Sequence, residues 1–375
     1  MYGGRSGEHE ISLASAAAVW ANLNRQRYEP IAIRIEKDGR WVLADRPPSA
    51  PSAAEVIEQM RGETARLRGG REVLMPPRPG DPALVVLDRR AIGDGETPVT
   101  LTGLGVDVVF PVLHGPYGED GTIQGLLELA GLAYVGCGVL ASAVGMDKLV
   151  MKTLFRAEGL RTPDWVGVDR QAWSTEPAAV AARVEAALTY PLFVKPANLG
   201  SSVGISKVKT PAALAAAVDL AAQFDRRIVV ENAVPEAREI ECAVLGNRQA
   251  EASIPGEIVS SREFYDYEAK YIDAGSRTEI PANLPPAVVA EVRRQAVAAF
   301  QAIDGSGLAR VDFLLNRRTG KLFLNEINTM PGFTTISMFS KLWGASGVDY
   351  ATLVDRLVAL AIERHQERQQ LRTSA

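Results

Sequence analysis

The sequence predicts an α/β domain followed by two α+β lobes. Within the first 146 residues, an apolar strand over residues 106–113 leads into a glycine-rich loop and then into a helix over 122–130. Strand, loop and helix in that order are typical of parallel α/β domains. Near Met146 the pattern restarts, and from about residue 239 onward strands predominate. We therefore expect three structural units along the chain.

The first unit also carries signals before its buried strand. A glycine-rich turn at the start of the chain precedes a predicted helix over residues 11–24, and an apolar stretch over 30–35 predicts a strand. Residues 45–98 are dense in proline, arginine and glycine. That composition predicts a solvent-exposed segment that contains a hairpin or a short helix.

The later units alternate strands with alanine-rich helices. Asp147 is a candidate N-cap of a helix whose apolar face would carry Val150, Leu154 and Ala157, and Gly159 would end it. The remaining helices are expected over residues 177–188, 211–222, 286–303 and 350–365. The remaining strands are expected over residues 192–196, 204–208, 228–230, 239–245, 309–315 and 321–325.

Composition excludes several classes of protein. Of 375 residues, 47% are hydrophobic and 23% are charged, as in globular chains rather than disordered or fibrous ones. A formal charge of −4 without a basic stretch argues against nucleic acid as a partner. With no long apolar run and no signal segment, we expect a cytoplasmic protein without membrane contact. Two cysteines and three histidines argue against a disulfide framework and a histidine-based metal centre.

Paired polar residues on two late strands point to metal chemistry. Because residues i and i+2 share one face of a strand, Arg310 and Asp312 should face one way while their apolar neighbours face a core. Glu326 and Asn328 pair in the same manner. Three oxygen ligands beside an arginine suit Mg²⁺ that bridges nucleotide phosphates. The alternative is a structural ion pair between neighbouring strands.

A lysine followed by a glycine–serine loop indicates an anion site. Lys195 lies in the predicted strand over 192–196, and residues 200–204 read Gly-Ser-Ser-Val-Gly. Such a loop offers backbone N–H groups and hydroxyls to phosphate, although it is not a Walker A motif. Lys148, in the first turn of a helix, supplies a second cation for a triphosphate. The alternative is a simple turn.

The segment over residues 264–271 combines three tyrosines with Lys270 in a polar context. This composition fits neither a core helix nor a core strand. It predicts a lid that brings a lysine to phosphate and a tyrosine to substrate while excluding water. The alternative is a surface loop whose aromatic rings pack on its own stem.

The N-terminal glycine-rich turn carries two glutamates, Glu8 and Glu10. A turn before a helix often binds phosphate, but these carboxylates would repel phosphate and attract an ammonium group. The alternative is that they only favour the positive end of the helix dipole. A nicotinamide-binding turn is disfavoured, because no strand precedes the glycines.

These segments resemble those of the D-alanine–D-alanine ligase family of the ATP-grasp superfamily. Eight segments occur in family order: GGRSGEHEIS, HGPYGEDGTIQG, GMDK, VKPANLGSSVG, AREIE, YDYEAKY, RVDF and NEINTMPGFT. The resemblance implies a Rossmann-like N-terminal substrate domain over residues 1–146, followed by a two-lobed ATP-grasp fold. Its central lobe would span 147–234, and its C-terminal lobe, with a substrate-covering loop, 235–375. Family members carry a strand before the Gly-Gly turn, so the first strand is expected to be missing here.

The resemblance also implies three sets of site residues. Those expected to bind D-alanine or to stabilise its reacting carboxyl group are Glu8, Ser201, Tyr271, Arg310, Gly332, Ser337 and Met338. Those expected to bind ATP are Lys148, Lys195, Glu231, Ala233, Val234, Glu239 and Lys270. The expected ligands of two Mg²⁺ or Mn²⁺ ions are Asp312, Glu326 and Asn328.

The activity implied is ATP-dependent ligation of two D-alanines through an acyl phosphate, for peptidoglycan precursor synthesis, in a cytoplasmic homodimer. Two related alternatives are another ATP-grasp carboxylate–amine ligase and a D-alanine–D-lactate ligase, although Tyr271 favours an amine acceptor. A nucleotide-binding module without catalysis is an alternative of a different class. The presence of Arg310 and of every expected metal ligand argues against it.

Overall fold

Ten helices, in the part of the chain that the structure describes, surround the sheets. The computed structural model describes residues 1–45, 48, 71–80, 83–89, 99–259 and 277–372. The helices are α1 (His9–Asn22), α2 (Thr122–Leu129), α3 (Val139–Met146), α4 (Lys148–Ala157), α5 (Arg170–Thr175), α6 (Pro177–Ala187), α7 (Leu214–Ala221), α8 (Pro286–Ala302), α9 (Met338–Ala345) and α10 (Tyr350–Gln369). Each helix expected from the sequence is present. Within the described ranges, no helix has both the length and the apolarity that crossing a membrane requires.

The first sheet has a parallel edge and an antiparallel remainder. Its strands, in spatial order, are β1 (Tyr2–Gly3), β2 (Ile33–Ile35), β3 (Trp41–Leu43), β4 (Arg71–Leu74), β5 (Leu84–Arg89) and β6 (Val99–Leu104). β1 and β2 pair in parallel, and every later pair is antiparallel. β4 and β5 form the hairpin expected within residues 45–98.

The strand expected to be missing is present in a shortened form. Tyr2 pairs with Arg34 of β2 on one side and forms a parallel bridge with Val112 on the other. The Val112 N–H donates to the Met1 carbonyl at 2.9 Å. Two residues are therefore enough to connect β2 with the segment over 106–113.

That segment forms less regular strand than expected. Its regular parallel pairing, with β8 (Ala133–Tyr134), covers only β7 (Val108–Val109), and Val112 adds the isolated bridge to Tyr2. Pro111 has no N–H to donate to a neighbouring strand, and this shortens the ladder. The parallel order is nevertheless β2, β1, the β7 segment and β8, which is the Rossmann-like arrangement expected for this unit.

The central unit is an antiparallel sheet covered by helices. Its strands lie in the order β11 (Ser206–Val208), β10 (Leu192–Pro196), β12 (Arg227–Asn232) and β9 (Trp165–Asp169). Apolar side chains of the sheet form one core with α6 and α7. The register places Phe193 opposite Glu231 and Lys195 opposite Val229, so the lysine strand and the acidic strand are neighbours.

The C-terminal sheet is antiparallel and has helices on both faces. Its strands are, in spatial order, β16 (Arg277–Glu279), β15 (Gly256–Val259), β13 (Ala237–Gly246), β17 (Gly307–Asn316) and β18 (Leu322–Asn328), with β14 (Glu251–Ala252) paired to β13. One face packs against α4 and α8, and the other packs against α9 and α10. Val311 and Phe313 are buried in the first of these cores, which turns Arg310 and Asp312 to the opposite face, as predicted.

Helix α4 buries a different face from the one predicted. Val150 is 38% exposed, whereas Lys148, Met151, Lys152 and Phe155 are buried. Apolar spacing indicated the wrong face because two of the buried residues are lysines. A buried ammonium group needs a compensating partner, so each of these lysines must be paired outside its own helix.

Candidate active site

A cleft of about 180 Å³ lies where the three units meet. It is bounded by the starts of α1 and α4, the loop after β10, the strands β17 and β18, and the loop before α9. The expected site residues that line it are Glu8, Lys148, Ser201, Arg310, Glu326, Asn328, Gly332, Ser337 and Met338. Residues that are far apart in the sequence therefore converge on one cavity.

Glu8 contacts two glycine-bearing loops at the wall of this cleft. The Ser201 hydroxyl donates to Glu8 Oε1. Gly115 has a φ of +73°, and a Cβ atom there would lie 2.7 Å from Glu8 Oε2. The positive φ favours glycine at this position, and any larger residue would have to displace the Glu8 carboxylate. The arrangement holds an anionic acceptor in the cleft, where it can bind a substrate ammonium group.

The loop that carries Ser201 has an unusual backbone. Ser201 and Ser202 both adopt left-handed conformations, with φ of +50° and +59°. Two consecutive non-glycine residues in this region are strained, and such strain concentrates at ligand-binding sites. Lys148 Nζ donates to the Leu199 carbonyl at 2.5 Å, which ties the same loop to the start of α4.

His114 connects the N-terminal unit to the loop before α9. Burial lowers its pKa, although Glu8 opposes the shift, so the ring is neutral at physiological pH. Because the Met330 carbonyl, at 3.0 Å from Nδ1, can only accept, Nδ1 carries the proton. Nε2 then accepts from the Ser15 hydroxyl at 3.1 Å, and Ser15 Oγ accepts from the Phe333 N–H at 3.2 Å. This chain fixes the backbone on both sides of Gly332.

Glu119 is a second carboxyl group close to Glu8. Burial, followed by the charge of Glu8, raises the pKa of Glu119 to about 8. Its Oε1 accepts from the Gly115 N–H at 3.0 Å, which opposes the shift without reversing it. Glu119 is therefore largely protonated at neutral pH in the free protein, and it lines the cleft.

Glu119→Gln should change the pH dependence of stability. A carboxyl group whose folded-state pKa lies above its unfolded value destabilises the native state as pH rises through that interval. The parent should therefore lose stability between about pH 4.5 and 8. The variant, which keeps the acceptor for Gly115, should gain on the order of 3 kcal/mol relative to the parent between pH 5 and pH 8, since one pKa unit corresponds to about 1.4 kcal/mol. The free energy of unfolding in urea at pH 5 and pH 8 measures this difference.

A matched control for that measurement is Glu363→Gln, which alters an exposed carboxylate on α10. It should reproduce the parent at both pH values. A Glu119→Gln variant whose stability relative to the parent is the same at pH 5 and pH 8 would contradict the assigned environment of Glu119.

The lysines expected to bind phosphate are buried beside a glutamate. Lys195 Nζ lies 2.5 Å from Glu231 Oε1. Burial alone would lower the pKa of Lys195, but the nearby carboxylates of Glu231, Glu326 and Glu239 together raise it. Burial also lowers the pKa of Lys148. Lys148 lines the cleft, whereas Lys195 lies on β10 beside the acidic strand.

The expected adenine-binding segment begins at Glu231, within β12, and continues past the end of that strand. The Ala233 N–H donates to the Pro191 carbonyl at 2.9 Å, and Val234 is half-buried. Glu239, also half-buried, lies on β13 opposite Leu314 of β17. None of these three expected residues, nor Glu231, lines the cleft that contains Glu8. The residues expected to bind the nucleotide are therefore only partly brought into the cavity that contains the residues expected to bind D-alanine.

Arg310 has two carboxylate partners. Its Nε and one terminal nitrogen donate to the two oxygens of Asp312, both at 2.7 Å, in the bidentate geometry that favours strong pairing. Its Nε also lies 3.1 Å from Glu241 Oε2. Burial by itself would lower the pKa of Arg310, but Asp312 and Glu241 hold it above its ordinary value. The guanidinium group therefore remains a fixed cation on the wall of the cleft.

The expected metal ligands are neighbours across two strands. The β17–β18 register pairs Asp312 with Glu326 and Arg310 with Asn328. Asn328 Nδ2 donates to Asp312 Oδ2 at 2.9 Å, so these two ligands are already in contact. Two carboxylates and one amide oxygen are the hard donors that Mg²⁺ and Mn²⁺ prefer, and the residues present fit such ions. Within the described ranges, no group of three or more acidic, histidine or cysteine side chains is gathered for a metal.

The loop before α9 contains the last expected residues. Thr334 N–H donates to Ser337 Oγ at 3.0 Å, and the two hydroxyls lie 2.7 Å apart. A Cβ atom at Gly332 would lie 3.0 Å from Ser337 Oγ, so the loop is tight at this point. Met338 begins α9 and is buried. The loop is therefore compact and borders the cleft along its length.

Several residues of the cleft were not predicted from the sequence. Lys270 and Tyr271 lie outside the described residues. His114, Glu119 and Glu241 line the cleft without having been assigned a role. A signal was available for the first two, since both lie in the segment HGPYGEDGTIQG, whose glycines mark a close backbone approach.

A Rossmann-like domain joined to two lobes, with a cleft lined by the buried Lys148 and the strand-borne Glu326, defines an enzyme of the ATP-grasp class. Residues 1–137 match the family model for the D-ala D-ala ligase N-terminus, and residues 154–359 match the model for the D-ala D-ala ligase C-terminus. The chain belongs to the D-alanine–D-alanine ligase family, which confirms the resemblance seen in its motifs.

Individual relatives are similar over nearly the whole chain. The D-alanine–D-alanine ligase of Heliobacterium modesticaldum is 49% identical over 367 residues, which cover 98% of this chain and 94% of the relative. The structure of the D-alanine–D-alanine ligase from Coxiella burnetii has a TM-score of 0.79 and 36% identity, covering 98% of this chain and 94% of that one. VanG D-Ala:D-Ser ligase from Enterococcus faecalis has a TM-score of 0.79 and 33% identity, covering 96% and 97%.

Proposed function

We propose that this enzyme joins two D-alanines to D-alanyl-D-alanine, for peptidoglycan precursor synthesis, while ATP is converted to ADP and phosphate. The observation that carries this proposal is the placement of Glu8 and Arg310 on one cleft. A carboxylate held by Ser201 suits a substrate ammonium group, and a fixed guanidinium suits the carboxyl group of the same substrate.

In the first step, a carboxylate oxygen of the first D-alanine attacks the γ-phosphorus of ATP. The bond from that phosphorus to the bridging oxygen breaks, ADP leaves, and an acyl phosphate forms. Glu8 would hold the ammonium group of this D-alanine. Lys148, Lys195 and Lys270 would balance the phosphate charge, since such electrostatic stabilisation is usually the largest contribution to catalysis.

In the second step, the amine of the second D-alanine loses a proton and attacks the acyl carbon. A tetrahedral oxyanion forms, the carbon–oxygen bond to phosphate breaks, and inorganic phosphate leaves. Arg310 and the Gly332 N–H would stabilise the oxyanion. Ser337 and Met338 would receive the carboxylate of the second D-alanine, and Tyr271 would cover the subsite.

The remaining expected residues would bind the rest of the nucleotide and its metal ions. Glu231, Ala233 and Val234 would contact adenine, and Glu239 would contact the ribose hydroxyls. Asp312, Glu326 and Asn328 would hold two Mg²⁺ or Mn²⁺ ions. When bound, these ions supply positive charge to the phosphate oxygens.

The organisation of the enzyme is part of the same proposal. We place the domain boundaries at residues 146 and 234, because each of the three larger sheets lies within one of the resulting units. We expect a homodimer, which sedimentation equilibrium would measure. We expect the enzyme to act in the cytoplasm, where ATP is supplied.

ADP release in the presence of ATP, Mg²⁺ and single amino acids tests the function. D-alanine should support ADP release with stoichiometric formation of D-alanyl-D-alanine, and L-alanine should not. ADP release without a dipeptide would indicate a different acceptor. No D-alanine-dependent release at all would overturn the proposed function.

The dipeptide should predominate when D-alanine and D-lactate compete at equal concentration. The D-alanine amine must lose a proton before attack, so the dipeptide share should rise from pH 6 to pH 9. Product analysis across this range measures the ratio. Tyr271→Phe should gain some D-alanyl-D-lactate at acidic to neutral pH, if Tyr271 shapes the second subsite. A parent enzyme that forms mainly the ester would contradict the assigned acceptor.

A further inference from the structure

Lys152 is a fully buried lysine that has no role in the proposed mechanism. It lies one turn after Lys148 on α4, and its side chain is 1% exposed. Burying an ammonium group is costly unless it is paired and hydrogen-bonded. An apolar side chain of similar size would fill the same space without that penalty. The lysine therefore calls for an explanation beyond packing.

Its partners lie on two different strands. Lys152 Nζ is 2.8 Å from Glu231 Oε2 on β12, and it donates to the Asn325 carbonyl on β18 at 3.1 Å. The other oxygen of Glu231 lies 2.5 Å from Lys195 Nζ. The carboxylate is thus held between two ammonium groups. Burial would raise the pKa of Glu231, but these lysines lower it to about 2, so it stays ionised.

The contact with Asn325 depends on an irregularity in the C-terminal sheet. The register pairs Asp312 with Glu326 and then Phe313 with Leu324, so it skips Asn325. Such bulges leave one residue out of the ladder and re-aim the side chains beside it. Lys152 bonds the carbonyl of the skipped residue, immediately before Glu326.

We propose that Lys152 is a positioning residue for nucleotide binding, which orients Glu231, and through it Lys195, while fixing the bulge that presents Glu326. This inference rests on the proposed function, in which Lys195 binds phosphate and Glu326 binds metal. Lys152 does not line the cleft, so it acts through these residues rather than on the nucleotide itself.

The test compares Lys152→Met, which removes the charge and keeps a similar shape, with Phe155→Leu. Phe155 lies on the same face of α4, is fully buried, and belongs to the core that α4 forms with the C-terminal sheet. Lys152→Met should raise the dissociation constant for ADP with Mg²⁺, measured by calorimetry, at least 10-fold. It should raise KM for ATP similarly and change KM for D-alanine less than 2-fold. Phe155→Leu should lower Tm and leave nucleotide binding unchanged.

A folded Lys152→Met variant with the parent's nucleotide affinity would show that the lysine is only structural. If this variant does not fold, Lys152→Gln replaces it with the same expectations. Failure of both variants to fold would mean that the ammonium group serves the fold itself, and the proposal would be wrong. A parent that binds ADP but does not ligate D-alanine would overturn the proposed function, while the binding comparison would still decide the role of Lys152.

Discussion

Asp312→Asn should reduce turnover about 10³-fold or more while the protein remains folded. Loss of a metal-binding carboxylate removes several kcal/mol of charge stabilisation, and each ~1.4 kcal/mol corresponds to a factor of ten in rate. The amide can still accept from Asn328, so the strand contact is retained. Turnover as a function of Mg²⁺ and Mn²⁺ concentration, together with Mn²⁺ binding in the presence of ADP, measures the effect.

The informative comparison is Glu241→Gln. Glu241 also pairs with Arg310 but is not an expected metal ligand. If Asp312 only held Arg310 in place, both variants would lose similar activity and retain the parent's metal dependence. We expect instead that Glu241→Gln has the smaller effect and that only Asp312→Asn weakens Mn²⁺ binding. An Asp312→Asn variant within a few-fold of the parent would exclude Asp312 as a ligand.

Glu8→Gln should lower kcat/KM for D-alanine roughly 100-fold, because a hydrogen bond to a charged group contributes about 1.5–3 kcal/mol. Glutamine preserves the acceptor for the Ser201 hydroxyl, so the loop contact should survive and only the charge is lost. KM for ATP should change little, since none of the residues expected to bind adenine or ribose lines the cleft that contains Glu8. Steady-state kinetics with each substrate varied in turn separates the two effects.

Glu10→Gln is the matched control, since Glu10 lies two residues after Glu8, in the first turn of α1. Glu10 pairs with Lys37 on the surface at 2.6 Å and does not line the cleft. Its neutralisation should leave kcat/KM for D-alanine near the parent value. If both variants lost kcat/KM equally, the loss would follow from the total charge of this N-terminal segment. Glu8 would then have no specific role in ammonium binding.

Much of the fold could be predicted from the sequence, because the spacing of apolar and polar residues follows the local geometry of a strand or a helix. The alternation around Arg310 and Asp312 placed both side chains on the face opposite the core, and β17 confirms it. The strand that carries Lys195 was predicted at its observed bounds, since apolar residues fill it and turn residues follow. The N-cap at Asp147 accepts from two N–H groups at 3.1 Å, as its position before a helix indicated.

Features that depend on distant partners could not be predicted in this way. Lys152 breaks the apolar pattern of α4, and its burial is compensated by partners on two distant strands, the Glu231 carboxylate and the Asn325 carbonyl. The raised pKa of Glu119 depends on burial in the folded protein and on the charge of Glu8, which lies far away in the sequence. The pairing of Asp312 with Glu326 needs a bulge whose position no strand pattern reveals. These are long-range effects, and they are concentrated at the candidate site.

The contact between Ser201 and Glu8 joins residues that are 193 positions apart. A ribosome must therefore synthesise more than half of the chain before the ammonium site can exist, and the loop before α9 is added later still. Contacts of such high sequence separation form slowly, because they must overcome the entropy of closing a long loop. A nascent or refolding chain should therefore acquire its helices well before it acquires activity, and fragments that end before Ser337 would lack a complete cleft.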